Sequence, residues 1–328
     1  MKNLNFDQSA IQSQLLERRK RLENAISDIP ENHRLLGLLQ EVDAALERME
    51  KGVFGICEAC HEPIEPERLI TDPLTRLCID HLTTDQQRAL EQDLDLASQI
   101  QKALLPKNKM ILGNWEVSYY YQPAGPVSGD YCDLVEINKQ NGDILFVLGD
   151  VSGKGVAASM LMSHLHAVIH SLAAFDLSVS QLVDRANRIF CESTLATHYA
   201  TLVCGKIRQS GEIEICNAGH LPVLHIRENE VVEMKSTGIP IGLFCNSDYT
   251  IQKAKLNPGD KLVLYTDGLS EAWNNKEEFG LERILELAAR HSRMNSDELI
   301  QTFLSDYNTF MKKAPPSDDL TLMTIQRR

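Results

Sequence analysis

The chain has 328 residues, 43% apolar and 24% charged, the balance of a globular protein rather than a disordered or fibrous one. Its formal net charge of -13 argues against broad non-specific binding to nucleic acid. No apolar run reads as long enough to span a bilayer, and the first residues do not read as a signal peptide, so a cytoplasmic protein with no membrane partner is expected.

Gln8 to Ile26 contain neither Pro nor Gly, are rich in helix formers, and place Ile11, Leu15, Leu22 and Ile26 on one face. The stretch from Ser27 through Pro30 to Asn32 breaks this helix. A second follows, with Leu35, Leu39, Val42, Leu46 and Met49 at three- and four-residue spacing. Two helices joined by a short Pro-containing turn predict an antiparallel hairpin over residues 1–52. It acts as a scaffold or oligomerisation element, or as a probe whose acidic tip, Asp28 and Glu31, meets a partner.

Residues 53–84 hold Cys57-x2-Cys60, then 17 residues, then Cys78-x2-His81. Paired ligands at this spacing grip one tetrahedral ion, and Cys3His is a structural zinc set. The segment is too short to build a core of its own, which favours a metal. His61 competes for the fourth position, but His81 keeps the two-plus-two spacing and is preferred. The remaining cysteines, Cys132, Cys191, Cys204, Cys216 and Cys245, have no framework spacing and are expected to be reduced thiols.

The stretch from Ala45 to Cys60, with Ile64, Pro66-Glu-Arg68-Leu and Pro73, resembles the DksA/TraR zinc-finger family over about residues 1–84. The chain departs from that family in having His81 where a fourth cysteine is usual, and in its short hairpin. The resemblance implies one structural zinc ion in a knuckle beside the hairpin. Founding members of that family act on RNA polymerase, which makes a polymerase-binding transcription regulator, with the C-terminal region as a sensing module, the alternative reading.

Thr84 to Leu105 run without Pro or Gly and predict a linker helix within residues 85–108. Leu90, Leu94, Ala97 and Leu104 fall at heptad-like positions, with Gln101 completing the seam. Such a narrow stripe predicts a parallel homodimer, the polar Gln101 setting its register. The competing reading is a helix packed on its own domain.

From residue 109 to residue 328, β-type runs dominate: Trp115–Tyr121, Ile144–Leu148, Ala200–Ile207, Glu212–Cys216, Val223–Ile226, Lys261–Tyr265 and Leu320–Ile325. Helical patterns lie between them at Val156–Ala174, Ser180–Thr194, Leu281–His291 and Ser296–Phe310. Strands with interspersed helices predict an α+β domain with a two-sheet core and helices outside. Asp150 ends a run that is apolar on both faces and opens a Gly-rich turn, and Asp267-Gly268 repeats the pattern after Lys261–Tyr265. Asp318-Asp319 and Ser128-Gly129-Asp130 add further carboxylates. Aspartates at strand ends and turns suggest one acidic pocket for hard divalent cations.

In order, Ser128-Gly-Asp130-Tyr-Cys-Asp133, Gly149-Asp150-Val-Ser-Gly-Lys-Gly, Asn217-Ala-Gly-His220-Leu-Pro, Tyr265-Thr-Asp267-Gly and Asp318-Asp-Leu-Thr321 closely resemble the SpoIIE-like branch of the PPM, or type 2C, metal-dependent Ser/Thr protein phosphatases. The resemblance implies an αββα sandwich with two Mn2+ or Mg2+ ions between the sheets. Asp150 would bridge them beside the carbonyl of Val151, Asp267 and Asp318 would complete the ligand set of the second ion, and Asp130 would lie near the first ion. It implies a phosphoserine or phosphothreonine substrate, often on a STAS-type anti-sigma-factor antagonist in a partner-switching pathway. Two such ions lower the pKa of a shared water and neutralise phosphoryl charge, so no protein nucleophile is needed. His220 is a candidate general acid by position only, and its turn is expected rather to support the core. Asp133 and Asp319 are candidates for groups behind the ligands. His166 and His170, four apart with His164 nearby, have the spacing of a metal pair but no intervening H-E-x-x-H glutamate, and are expected to be helix-face histidines.

Overall fold

The computed structural model of the chain describes residues 8–28, 32–138, 142–195, 197–228, 230–274, 276–312 and 314–328. The chain divides into two compact units, Met1–Asp93 and Leu94–Arg328.

In the first unit, α1 (Gln8–Asp28) and α2 (His33–Glu50) form the expected hairpin. Asn32 caps α2, its side chain accepting hydrogen bonds from the backbone N–H of Arg34 and Leu35. Ile11 and Leu15 pack with Val42, Ala45 and Leu46, and the same cluster continues into Phe54, Cys57, Ile64, Leu69 and Cys78. Hairpin and knuckle therefore share one core. A short helix, α3 (Pro66–Thr71), and a 3-10 turn at Ile79–His81 complete the knuckle. The Asp28 side chain and Glu31, the expected acidic tip, lie outside the described residues.

Helix α4 (Thr84–Leu104) begins in the first unit and ends in the second. Gln101, expected in a dimer seam, is instead 3% exposed and bound to the second unit's own Ser128. A buried amide needs partners, and Ser128 supplies both a donor and an acceptor. Leu96 and Ile100 are the apolar residues that this end of α4 leaves exposed.

The second unit holds two antiparallel sheets. One runs β1 (Lys109–Leu112), β2 (Trp115–Gln122), β11 (Leu320–Arg327), β10 (Lys261–Tyr265), β7 (Val223–Arg227), β8 (Glu230–Met234). The other runs β3 (Asp130–Asn138), β4 (Asp143–Val151), β5 (Ala200–Ile207), β6 (Glu212–Ala218), β9 (Gln252–Lys255). Trp115, Val117, Phe146, Leu148, Leu264 and Met323 are buried between them. Helices α5 (Gly155–Ala173) and α6 (Val179–Ser193) cover the second sheet, and α8 (Leu281–Arg290) and α9 (Ser296–Met311) cover the first. The layers are α, β, β, α, as expected. Capping boxes start α6 (Ser178 with Gln181) and α9 (Asn295 with Glu298).

Strands β1, β3, β8 and β9 were not legible as strands. In β3 the carboxylates of Asp130 and Asp133 interrupt the apolar pattern that marked β4. At 19 residues α5 is long and apolar enough, by length and composition, to cross a membrane, contrary to the sequence reading. Its Met162, Leu165, Ile169 and Leu172 instead pack on the sheet with Leu145 and Val147.

The thiols also differ from expectation. Cys132, Cys204 and Cys216 are free and buried, but Cys191 and Cys245 form a disulfide across 54 residues. Asn187 on α6 explains the proximity. Its side chain donates to the carbonyls of Phe244 and Cys245 and accepts from the N–H of Gly242, which lays that loop over the helix.

Candidate active site and zinc cluster

Antiparallel pairing of β3 with β4 sets Asp130 opposite Asp150. On the facing sheet β10 ends at Tyr265, and Asp267 opens the short helix α7 (Asp267–Ser270). Asp318 and Asp319 immediately precede β11. Thr266 and Thr321 tie the sheets together, because both hydroxyls donate to Asp130 Oδ2. Asp319 uses both oxygens on the backbone, accepting from Ala124 N at 2.7 Å and Gly129 N at 2.9 Å. It fixes the loop that leads into Asp130 rather than offering free lone pairs.

Close approach of backbone is built into the site. A Cβ on Gly129 would lie 2.9 Å from the Val151 carbonyl oxygen, and one on Gly268 would lie 2.0 Å from the Asp319 carbonyl oxygen. Only glycine allows either contact.

The electrostatics are those of crowded carboxylates. Burial, then repulsion by Asp267, Asp318 and Asp319, pushes Asp150 up to about 7. Burial, then Asp318 and Glu271, pushes Asp267 up to about 6. Burial and Asp150 raise Asp130 well above the usual carboxylate range, against the two threonine hydrogen bonds. Lys154, from the Gly-rich turn, reaches Asp318 Oδ2 at 2.7 Å and donates to the Ser317 carbonyl. Asp130 Oδ1 is buried with no hydrogen-bond partner. Anionic oxygen donors in excess, one of them orphaned, fit hard divalent cations such as Mn2+ or Mg2+.

His220 does not face this cluster as an acid would. Its Nε2–H donates to the Tyr265 carbonyl at 3.0 Å, and its Nδ1 accepts from the Thr201 hydroxyl at 2.7 Å. Burial pushes its pKa down to about 4, so the ring is neutral and links β5 to β10 behind Asp150. This matches the supporting role expected for its turn.

Asp133 is not beside Asp130. Three residues along a strand reverse the face, and its carboxylate points to α5, where it meets His170 Nε2, Tyr131 OH and His166 Nδ1 at 2.5, 2.9 and 3.4 Å. Burial works to raise its pKa, but these partners hold it below the usual range. His166 and His170 are therefore not merely surface histidines. The strand parity of β3 was the signal that would have revealed the trio. His164 stands apart, bound to Ser193.

In the knuckle, Cys57, Cys60, Cys78 and His81 bring their ligand atoms within 4.8 Å of one another. Cys78 Sγ lies 3.2 Å from His81 Nδ1 and 3.7 Å from Cys60 Sγ. Burial opposes ionisation of Cys57, but backbone N–H groups of Cys78, Cys60 and Ala59 hold its thiol down to about 6. Three thiols, one already biased to thiolate, and one imidazole fit a tetrahedral zinc ion. His61 is exposed and outside the cluster.

Comparison with known proteins agrees with this architecture. The structure resembles the SiaA-PP2C domain of Pseudomonas aeruginosa, with a TM-score of 0.63 at 22% identity, covering 73% of this chain and 98% of that one. It also resembles the PP2C phosphatase domain, with a regulatory fragment, of SpoIIE from Bacillus subtilis, with a TM-score of 0.55 at 18% identity over 65% of this chain and 62% of that one. The fold of the second unit is thus that of a PP2C domain. In sequence, residues 140–328 match the profile of stage II sporulation protein E (SpoIIE), and residues 52–80 match the prokaryotic dksA/traR C4-type zinc finger. The chain belongs to the SpoIIE family. Protein IcfG of Synechocystis sp. is 27% identical over 266 residues, 72% of this chain. The chain spans only 41% of the length of IcfG. Phosphoserine phosphatase RsbU of Bacillus subtilis is 24% identical over 249 residues, 74% of this chain and 72% of RsbU.

Proposed function

We propose that the chain is a metal-dependent phosphoprotein phosphatase that hydrolyses phosphoserine or phosphothreonine. The observation that carries the reading is the crowding of Asp150 by Asp267 and Asp318 on one side and its pairing with Asp130, which keeps a buried, unpartnered carboxylate oxygen, on the other. Asp150, the Val151 carbonyl, Asp267, Asp318 and Asp130 would hold two Mn2+ or Mg2+ ions. Such ions supply an activated water and neutralise phosphoryl charge. The chain's own contribution is to keep these oxygens in place: Thr266 and Thr321 orient Asp130, Asp319 pins the loop from Ala124 to Gly129, and His220 braces the strands behind them. Lys154 offers an ammonium at the rim for a phosphoryl oxygen. The name of RsbU supports a phosphoserine substrate.

The finer reading is a STAS-type phosphoprotein substrate in a partner-switching pathway, in the cytoplasm. Cys57, Cys60, Cys78 and His81 hold one structural zinc ion in a knuckle that regulates the phosphatase through α4, the helix continuous from one unit into the other. Homodimerisation uses the apolar side chains that α4 leaves exposed, Leu90, Leu96 and Ile100, in place of Gln101. The zinc-finger match keeps RNA polymerase as the alternative partner.

Hydrolysis of p-nitrophenyl phosphate and of a phosphoserine STAS protein, each with and without Mn2+, tests the activity. Turnover that needs the ion supports it, and full activity in excess chelator overturns it. Light scattering of the wild type and Ile100→Asp at micromolar concentration tests the dimer, which a monomeric wild type would refute. Copurification with polymerase, in the absence of phosphatase activity, would favour the alternative.

A further inference from the structure

Asp133, His166 and His170 form a second cluster of metal-ligand type, outside the carboxylate cleft and outside the knuckle. We propose that they bind a divalent transition-metal ion, zinc by chemical class, that clamps α5 to β3.

Three observations carry this. Asp133 Oδ2, a histidine nitrogen of His166 and one of His170 all lie within 4.8 Å of one another. In a tetrahedral site with bonds of about 2.0–2.1 Å, ligand atoms stand about 3.3 Å apart. The His166 Nδ1 to Asp133 Oδ2 distance is already 3.4 Å, and the His170 Nε2 to Oδ2 distance of 2.5 Å needs to open by less than an ångström.

The donor chemistry is the second observation. One carboxylate and two imidazoles form an N2O set, which suits zinc and its neighbours and not Mg2+ or Ca2+. The histidines are four apart on α5, so one turn of helix presents both rings, 4.2 Å between centroids, to the same point.

The third is an unmet need. His166 Nδ1 is buried and makes no hydrogen bond of good geometry, its 3.4 Å approach to Asp133 Oδ2 being an ion-pair contact only, a shortfall in an interior that a metal bond would remove. Asp133 is 5% exposed, and its Oδ1 accepts from the Leu134 N–H while the Tyr131 hydroxyl donates to Oδ2. These contacts orient the carboxylate as groups behind a metal ligand do. His170 is 43% exposed, so solvent can deliver an ion and supply the fourth ligand.

The location gives the site a consequence. Its two histidines sit on the helix that follows Lys154, and its carboxylate sits three residues after Asp130 on β3. Metal there would fix the two elements that flank the carboxylate cleft.

The test is titration of full-length protein with Co2+ and Zn2+, the knuckle already loaded with zinc and the carboxylate cleft held by millimolar Mg2+. A second equivalent should bind, and Co2+ in it should show tetrahedral d–d bands without thiolate charge-transfer absorption. His170→Ala should weaken this equivalent by at least about 10-fold, since a direct ligand is worth no less than a group behind one. Zn2+ should raise the Tm of the wild type and not that of His170→Ala. His166→Gln gives an independent variant if one protein proves unstable. Equal binding by wild type and both variants, or no second equivalent in the wild type, overturns the proposal.

Discussion

Gln101 clasps Ser128 on both sides: its Nε2 donates to the Ser128 carbonyl at 2.7 Å, and its Oε1 accepts from the Ser128 N–H at 3.0 Å. The Ser128 hydroxyl in turn accepts from the Asp130 N–H. The end of α4 is thereby linked by side-chain hydrogen bonds to the first aspartate of the cleft. Gln101→Ala leaves two buried backbone groups of Ser128 unpaired, at a cost of about 1–3 kcal/mol each before relaxation. A lower Tm and a lower kcat are expected, with Gln101→Asn unable to restore either because it is one methylene short. Thermal melts and phosphatase assays on the two variants check this, and an unchanged kcat would sever the link between α4 and the cleft.

Asp150→Asn and Asp267→Asn should each abolish metal-dependent phosphatase activity without unfolding the protein. Each removes one charge from a set of carboxylates that repel one another. Assays of p-nitrophenyl phosphate hydrolysis over a Mn2+ range, with circular dichroism for the fold, separate lost chemistry from lost structure.

The same repulsion has a pH signature. Asp150 titrates near 7 and Asp267 near 6 in the folded protein without divalent ions in the cleft, both above their unfolded values. The folded state therefore binds more protons between pH 4 and pH 7, and the stability these groups contribute falls as pH rises through that window. Each contributes at most about 1.4 kcal/mol per pH unit. In Mg2+- and Mn2+-free buffer the Tm of the second unit should drop from pH 5 to pH 7.5, and Asp150→Asn should flatten the slope. Added Mn2+ should oppose the drop by binding the ionised form. A slope that ignores the substitution would remove Asp150 as its source.

Gly268→Ala places a methyl group 2.0 Å from the Asp319 carbonyl oxygen. The methyl has no rotamer to escape by and its neighbour is backbone, so the Asp267 and Asp318 segments must separate. Loss of most of the activity is expected, together with weaker Mn2+ binding, measurable as a raised Mn2+ concentration for half-maximal rate.

One zinc per knuckle should resist dialysis, and structural zinc at such sites is worth roughly 10 kcal/mol or more. Cys57→Ala should release it and unfold the first unit. His81→Ala should weaken it, while His61→Ala should leave it in place, because only His81 joins the cluster. Metal analysis of the three variants decides between the histidines.

Much of this protein is legible in its sequence because the relevant signals are local. Cys57-x2-Cys60 and Cys78-x2-His81 encode their convergence in spacing, and the apolar run that ends at Asp150 fixes both a buried strand and the carboxylate at its tip. Strands β5 and β10 and the four main helices of the second unit are legible from apolar periodicity alone. What only the tertiary structure decided are pairings between residues distant in sequence, where no local pattern carries information. Gln101 looked like a seam residue, since helical periodicity reports which face is semi-apolar and not what covers it. Cys191 and Cys245 looked like isolated thiols because Asn187, rather than any spacing, draws their segments together. Asp133 reads in sequence as a candidate group behind the cleft's ligands, yet once β3 is a strand the alternation of faces sends one carboxylate into the cleft and the other to two histidines on α5.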